Sequence, residues 1–205
     1  IGPSIDDEEI EISFREVLEE NFDGAWPSCA IFNGEHLLVT DELQNILSVF
    51  TPQGDLVKTI GGSGDGESQF NRPSGITIDS DNNVYVADTL NHRVQKFSRD
   101  LVFIHSWGEF GETDGLLNAP WGICTDSDNF VYVADHKNHR VQKFNADGAF
   151  IMSVGEFGSG ASNLNHPSDV SVDESGDIYV ADWVNNRVQI YDSTGIHIAN
   201  LTGSA

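Results

Sequence analysis

From residue 27 onward the chain consists of short runs in which apolar and polar residues alternate, separated by clusters of Asn, Asp, Ser and Gly. In one stretch SGITID (74–79) is followed by the turn residues SDNN, VYVAD (84–88) by TLNH, and RVQKF (93–97) by SRD. LVFIHSW (101–107) then ends at Gly108. Period-two alternation bounded by turn residues is the signal of hairpin-linked strands. The stretch predicts four short antiparallel strands.

The same unit recurs at a step of 47 residues. Asp41, Asp88, Asp135 and Asp182 keep that step, as do Phe50, Phe97, Phe144 and Tyr191. Gly61, Gly108 and Gly155 keep it too, and so do Pro73, Pro120 and Pro167, with Pro27 one residue out of register. Gly-rich segments such as GEFGETDGLLNAP return to each proline, and within them Phe70, Leu117 and Leu164 are expected to pin the segment to the core. A single small sheet cannot bury both of its faces, whereas sheets stacked around an axis can. The prediction is an all-β propeller with four visible blades, at about 27–72, 73–119, 120–166 and 167–205.

The recurring pattern P-x-G-I-x-x-D, VYVAD-x-x-NHRVQKF and a closing Gly resembles the NHL repeat family. NHR stands at 91–93 and 138–140, and NNR at 185–187; the first copy, VTDELQNILSVF, lacks both the His and the Arg. The resemblance implies an NHL-type propeller, usually of six blades, so the four copies read as an incomplete six-bladed ring. A closed four-bladed ring is the alternative. The resemblance also implies parent proteins such as tripartite-motif ubiquitin ligases, where the propeller selects substrates, or receptors with a sensor propeller. An amidating lyase of this family holds zinc with histidines just after the inner-strand proline. The matching positions here are Ser28, Ser74, Trp121 and Ser168, none of which is an imidazole ligand.

Residues 1–26 fall outside the repeat and hold nine acids against the single base Arg15. Ser13-Phe14-Arg15-Glu16 reads as a capping box, which predicts a short helix over 14–22. The alternation in EIEISF leaves open a strand from a preceding blade.

Charge narrows the function classes. The net charge is −23, and residues 27–205 alone carry 24 acids against nine bases. Such a chain repels phosphate backbones and anionic membranes, so neither nucleic acid nor membrane is expected as a partner. No run is long enough to cross a bilayer, and a soluble chain, cytoplasmic rather than secreted, is expected. Cys29 and Cys124 fall on the inner strands of the first and third copies and are expected to stay unpaired.

Candidate residues divide into repeated and variable ones. Asp88, Asp135 and Asp182 with Arg93, Arg140 and Arg187 recur in three copies, so they are assigned to architecture: Asp accepting turn N–H groups, Arg as its partner. The acidic turns DSDNN, DSDNF and DESGD lack the spacing of a calcium loop and read as Asx turns. No metal or cofactor is expected, and no nucleophile elbow or phosphate loop is present.

The variable residues sit just after the repeated Asp and at the inner-strand starts. They place Leu43, Leu90, Trp121, His136, Lys137, Asp169, Trp183 and Val184 on one propeller face as a surface for a protein or peptide. Asp169 replaces Gly75 and Gly122 and puts a carboxylate at the channel mouth. The expected function is a non-catalytic binding platform. The alternatives are an enzyme of the six-bladed lyase or lactonase type and, against the charge, an RNA-binding domain. Blade faces without neighbours are expected to drive self-association or to be capped by residues 14–22.

Overall fold

The computed structural model describes residues 24–202. The helix expected over 14–22 lies outside the described residues. Four separate four-stranded antiparallel sheets follow one another along the chain. The first contains β1 (Pro27–Phe32), β2 (Leu37–Asp41), β3 (Ile46–Phe50) and β4 (Leu56–Gly61). The second contains β5 (Pro73–Ile78), β6 (Val84–Asp88), β7 (Arg93–Phe97) and β8 (Phe103–Trp107). The third runs from β9 (Pro120–Thr125) through β10 (Val131–Asp135) and β11 (Arg140–Phe144) to β12 (Phe150–Val154). The fourth runs from β13 (Pro167–Val172) through β14 (Ile178–Asp182) and β15 (Arg187–Tyr191) to β16 (His197–Leu201). Within each sheet the spatial order is the sequence order.

The sheets stack so that inner strands touch in sequence: β1 with β5, β5 with β9, and β9 with β13, with no comparable contact from β13 back to β1. Strands β6 and β10 are buried along their whole length, because a neighbouring sheet covers each face. That double cover explains why VYVA reads as a continuous apolar run, while the outer strand FIHSW alternates. The core therefore lies in seams between sheets. Tyr85, Ala87 and Val94 of one sheet meet Leu117, Ile123, Val131, Val133 and Phe144 of the next. The following seam repeats the arrangement with Tyr132, Val141, Leu164, Val170, Ile178, Val180 and Tyr191.

Beyond the fourth sheet no described sheet follows. Tyr179, Ala181 and Val188, the counterparts of buried Tyr85, Ala87 and Val94, are only half-buried. On the first sheet Leu37, Val39 and Phe50 are buried as a small cluster of their own.

The Gly-rich return segments are tied down as expected. Phe70, Leu117 and Leu164 are fully buried. At Gly61 the backbone has φ of +113°, and a Cβ there would lie 2.6 Å from the Phe70 ring. Both facts require glycine where the chain leaves each outer strand. Each inner strand also breaks register beside its proline, for instance between Pro167 and Asp169. These bulges re-aim the residues that follow the proline. No helix of the described residues is long and apolar enough to cross a membrane.

Candidate functional site

The repeated Asp forms a clamp that fixes the hairpin tips. Asp88 Oδ1 accepts from the Asn71 backbone N–H at 2.8 Å. Its Oδ2 accepts from Asn91 Nδ2 at 2.9 Å, Arg93 Nε at 2.8 Å and Gln95 Nε2 at 3.0 Å. Asp135 repeats the set with Asn118, Asn138, Arg140 and Gln142, and Asp182 with Asn165, Asn185 and Arg187. Each guanidinium reaches further, to carbonyls of the Gly-rich segment: Arg93 to Gly66 and Gln69, Arg140 to Thr113 and Leu116. The Arg thus ties the hairpin to the segment before its own sheet. Burial raises the Asp88 and Asp135 carboxyls above the usual range, and the donors and the adjacent Arg pull them back toward the charged form. In the first copy, which lacks the Arg, Asp41 accepts from the Trp26 N–H at 3.1 Å and from its own turn, at Leu43 and Gln44.

The clamp puts the variable hairpin residues on the face that carries the Gly-rich segments. The backbone N–H groups of Leu90, Lys137 and Val184 donate to the carbonyls of Asn71, Asn118 and Asn165, just before each inner strand. His92 and His139 close their turns in the left-handed conformation, with φ of 56° and 57°. Each then accepts at Nδ1 from the residue before the next proline, Ala119 at 3.0 Å and His166 at 3.1 Å. The acidic turns are held the same way throughout: Asp79, Asp126 and Asp173 each accept two turn N–H groups and a tyrosine hydroxyl.

On this face the inner-strand starts line an open cavity of about 280 Å³, bordered by Ser28, Cys29, Glu42, Ser74, Gly75, Trp121, Gly122, Ser168 and Asp169. Glycine is required at two of these places because adjacent inner strands come close together. A Cβ on Gly75 would lie 2.5 Å from the Trp121 carbonyl, and one on Gly122 would lie 2.5 Å from the Asp169 Cα. Asp169 carries a side chain and is exposed at the mouth. Crowding by surrounding protein raises its carboxyl, and only the Val170 N–H opposes this. Cys29 and Cys124 are both free thiols, and burial pushes the Cys124 thiol up.

An aromatic cluster borders the mouth. Trp121 packs on His136 with ring centroids 4.2 Å apart and on Trp183 at 5.7 Å. His166 touches both His136, at 4.8 Å, and His139, at 4.4 Å. His136, expected on the binding surface, is instead buried, with 8% of its surface exposed. The physical reason lies in the seam. The residue after the repeated Asp reaches the proline carbonyl of the next inner strand: Thr89 donates to Pro120 O at 2.8 Å, and His136 Nδ1–H donates to Pro167 O at 3.1 Å. Burial lowers the His136 pKa to about 4, so the ring is neutral at pH 7.

Trp183 holds the same position in the fourth sheet. No further inner strand lies beside it among the described residues, and it is 57% exposed. Leu43, Leu90, Lys137 and Val184 are exposed as well, and Trp121 is half-buried.

Phe110 and Phe157 belong to the same face and were missed in the sequence. Both are about two-thirds exposed and lean on His92 and His139. The signal was the tetrapeptide GEFG, which occurs twice and sets an aromatic residue in a glycine frame. Among the described residues no group of three or more His, Cys, Asp or Glu side chains is placed to hold a metal ion.

Four small antiparallel sheets joined inner strand to inner strand define a β-propeller architecture. More narrowly, the chain carries NHL repeats, matched at residues 70–97, 117–144 and 164–191. No curated protein matches the sequence. Among solved structures, the chain is similar to a catalytically inactive variant of virginiamycin B lyase from Staphylococcus aureus with quinupristin. The TM-score is 0.68 at 15% identity, over 86% of this chain and 55% of that one. It is similar to a streptogramin B lyase, with TM-score 0.66 and 14% identity over 86% and 54% of the two chains. It is also similar to the WD40 repeats of RRP9, with TM-score 0.70 and 10% identity over 87% and 52%. The chain thus spans about half the length of these structures, and at such identities the likeness establishes the fold alone.

Proposed function

We propose that the chain is a non-catalytic recognition platform that takes a protein or peptide on the face formed by its second-to-third-strand hairpins. The observation that carries this reading is the exposed Trp183 packed at a tilt against Trp121, which lines the cavity. Large aromatic side chains on a rigid frame, with Leu43, Leu90, Phe110, Phe157 and Val184 around them, supply apolar contact area at little cost in ordering. The frame itself is fixed by the buried Asp–Arg clamps. In a longer protein such a platform would select substrates for a ligase or sense a ligand for a receptor. The open side of the fourth sheet would take a further blade or a second copy. The charge of −23 disfavours RNA.

Panning a displayed peptide library against the chain tests the reading. Peptides should be enriched on the wild type and lost on Trp183→Ala. Enrichment that ignores Trp183 would overturn it.

The rival reading is a lyase, and it draws on the fold shared with the two lyase structures. Against it, Ser28, Ser74, Trp121 and Ser168 stand after the inner-strand prolines. Quinupristin incubated with the chain and divalent metal is expected to elute unchanged; a new chromatographic species would favour the lyase.

A further inference from the structure

Resting on the platform reading, the geometry assigns a ligand class to the open cavity: we infer that it receives a cationic group, the ammonium or guanidinium of a basic peptide side chain, on Asp169. The argument begins with the polar groups of the lining. Ser74 Oγ lies 2.7 Å from Thr89 Oγ1 and donates to the Trp121 carbonyl at 3.0 Å. Ser28 donates to Glu42, and Glu42 is paired with Arg72. These groups are already satisfied within the protein.

Asp169 differs. Its Oδ1 accepts from the Val170 N–H at 2.9 Å. Its Oδ2 receives no hydrogen bond, and Asp169 enters none of the ion pairs among the described residues. Among the described residues no Lys or Arg lines the cavity. A carboxylate in a concave mouth loses part of its hydration and gains more from a cation than a fully solvated one does.

The surroundings select the same charge. The excess of 24 acids over nine bases in residues 27–205 draws cations toward the chain. The adjoining indoles of Trp121 and Trp183 offer aromatic faces to a cation, and the histidine they pack on, His136, is buried and adds no opposing charge at neutral pH. The cavity, about 280 Å³, has room for a side-chain terminus rather than a folded ligand. The stem of that side chain would then run past the rim, where Trp183 stands.

Titration of the full chain with acetyl-Gly-Lys-Gly amide, its arginine counterpart and its norleucine counterpart, followed by calorimetry, tests the inference. The lysine and arginine peptides should bind at least about tenfold more tightly than the norleucine peptide. Asp169→Asn should abolish that preference, while Trp183→Ala should weaken all three peptides together. Asp169 is exposed, so the asparagine variant should melt with the wild type. Equal affinity for lysine and norleucine peptides, with loss of both in Trp183→Ala, would overturn the cationic assignment and leave the platform standing. Absence of binding by every peptide would overturn the assignment as well. A preference for lysine that survives Asp169→Asn would place the cation elsewhere and overturn it too.

Discussion

Asp182 and Trp183 are neighbours in sequence and opposites in environment. The carboxylate is fully buried and accepts from Asn165, Asn185 and Arg187; the indole beside it is mostly in solvent. The same pair in the third sheet, Asp135 and His136, is buried at both positions. The repeated Asp thus performs one task in the three copies that carry the Arg, holding its hairpin to the Gly-rich segment. The variable residue takes its character from its neighbour: Thr89 and His136, each beside another inner strand, are seam donors, and Trp183, at an open edge, is surface. The frame and the proposed recognition surface are therefore separable, although they are written one residue apart.

The largest expected effect comes from breaking the frame. Asp135→Ala removes the acceptor for four donors and the buried carboxylate partner of Arg140, which keeps Asp114 and the carbonyls of Thr113 and Leu116, a loss of about 3 kcal/mol, the low end for broken buried ion pairs. Urea denaturation should show it as a large fall in midpoint. A midpoint within experimental error of the wild type would separate the clamp from stability.

A seam residue should show a smaller effect that depends on pH. His136 has its pKa lowered from 6.5 to about 4 in the folded chain, so the unfolded chain binds the extra proton between those values. Stability should therefore fall as pH drops from 6.5 to 4, by up to an amount on the order of 3 kcal/mol from this group. In His136→Thr, which places the blade-two residue in blade three, that part of the pH dependence should vanish. Parallel stability–pH curves for variant and wild type would contradict the assignment.

The smallest stability effect is expected at the surface. Trp183→Ala should change the unfolding free energy by about 0.5 kcal/mol or less, because the side chain covers little core. The same variant should lose most peptide binding. A variant as destabilised as Asp135→Ala would mean that Trp183 belongs to the frame.

The division explains what could be read from the sequence. Blades, turns and the clamp residues were legible because each is repeated, and repetition makes packing constraints visible: Asp88 and Arg93 return in every matched copy, and Phe97 returns as Phe144 and Tyr191. The cavity was half legible, through the replacement of Gly75 and Gly122 by Asp169. His136 was misplaced because its burial depends on a hydrogen bond to the carbonyl of Pro167, a contact across 31 residues that no local pattern records. Phe110 and Phe157 escaped because they lie in segments read only as linkers. Whether a residue after the clamp faces a seam or solvent depends on the next sheet, not on its own strand.

The central claim is that ligands meet the molecule at the Trp121–Trp183 edge of the mouth. The most direct measurement is fluorine NMR on the chain labelled with 5-fluorotryptophan, each resonance assigned by Trp→Phe variants, before and after adding a library-selected peptide. The account predicts that the Trp183 and Trp121 signals shift, while those of Trp107, packed against the seam between the second and third sheets, and Trp26 stay in place. Saturable binding that leaves the Trp183 and Trp121 signals unmoved would contradict it.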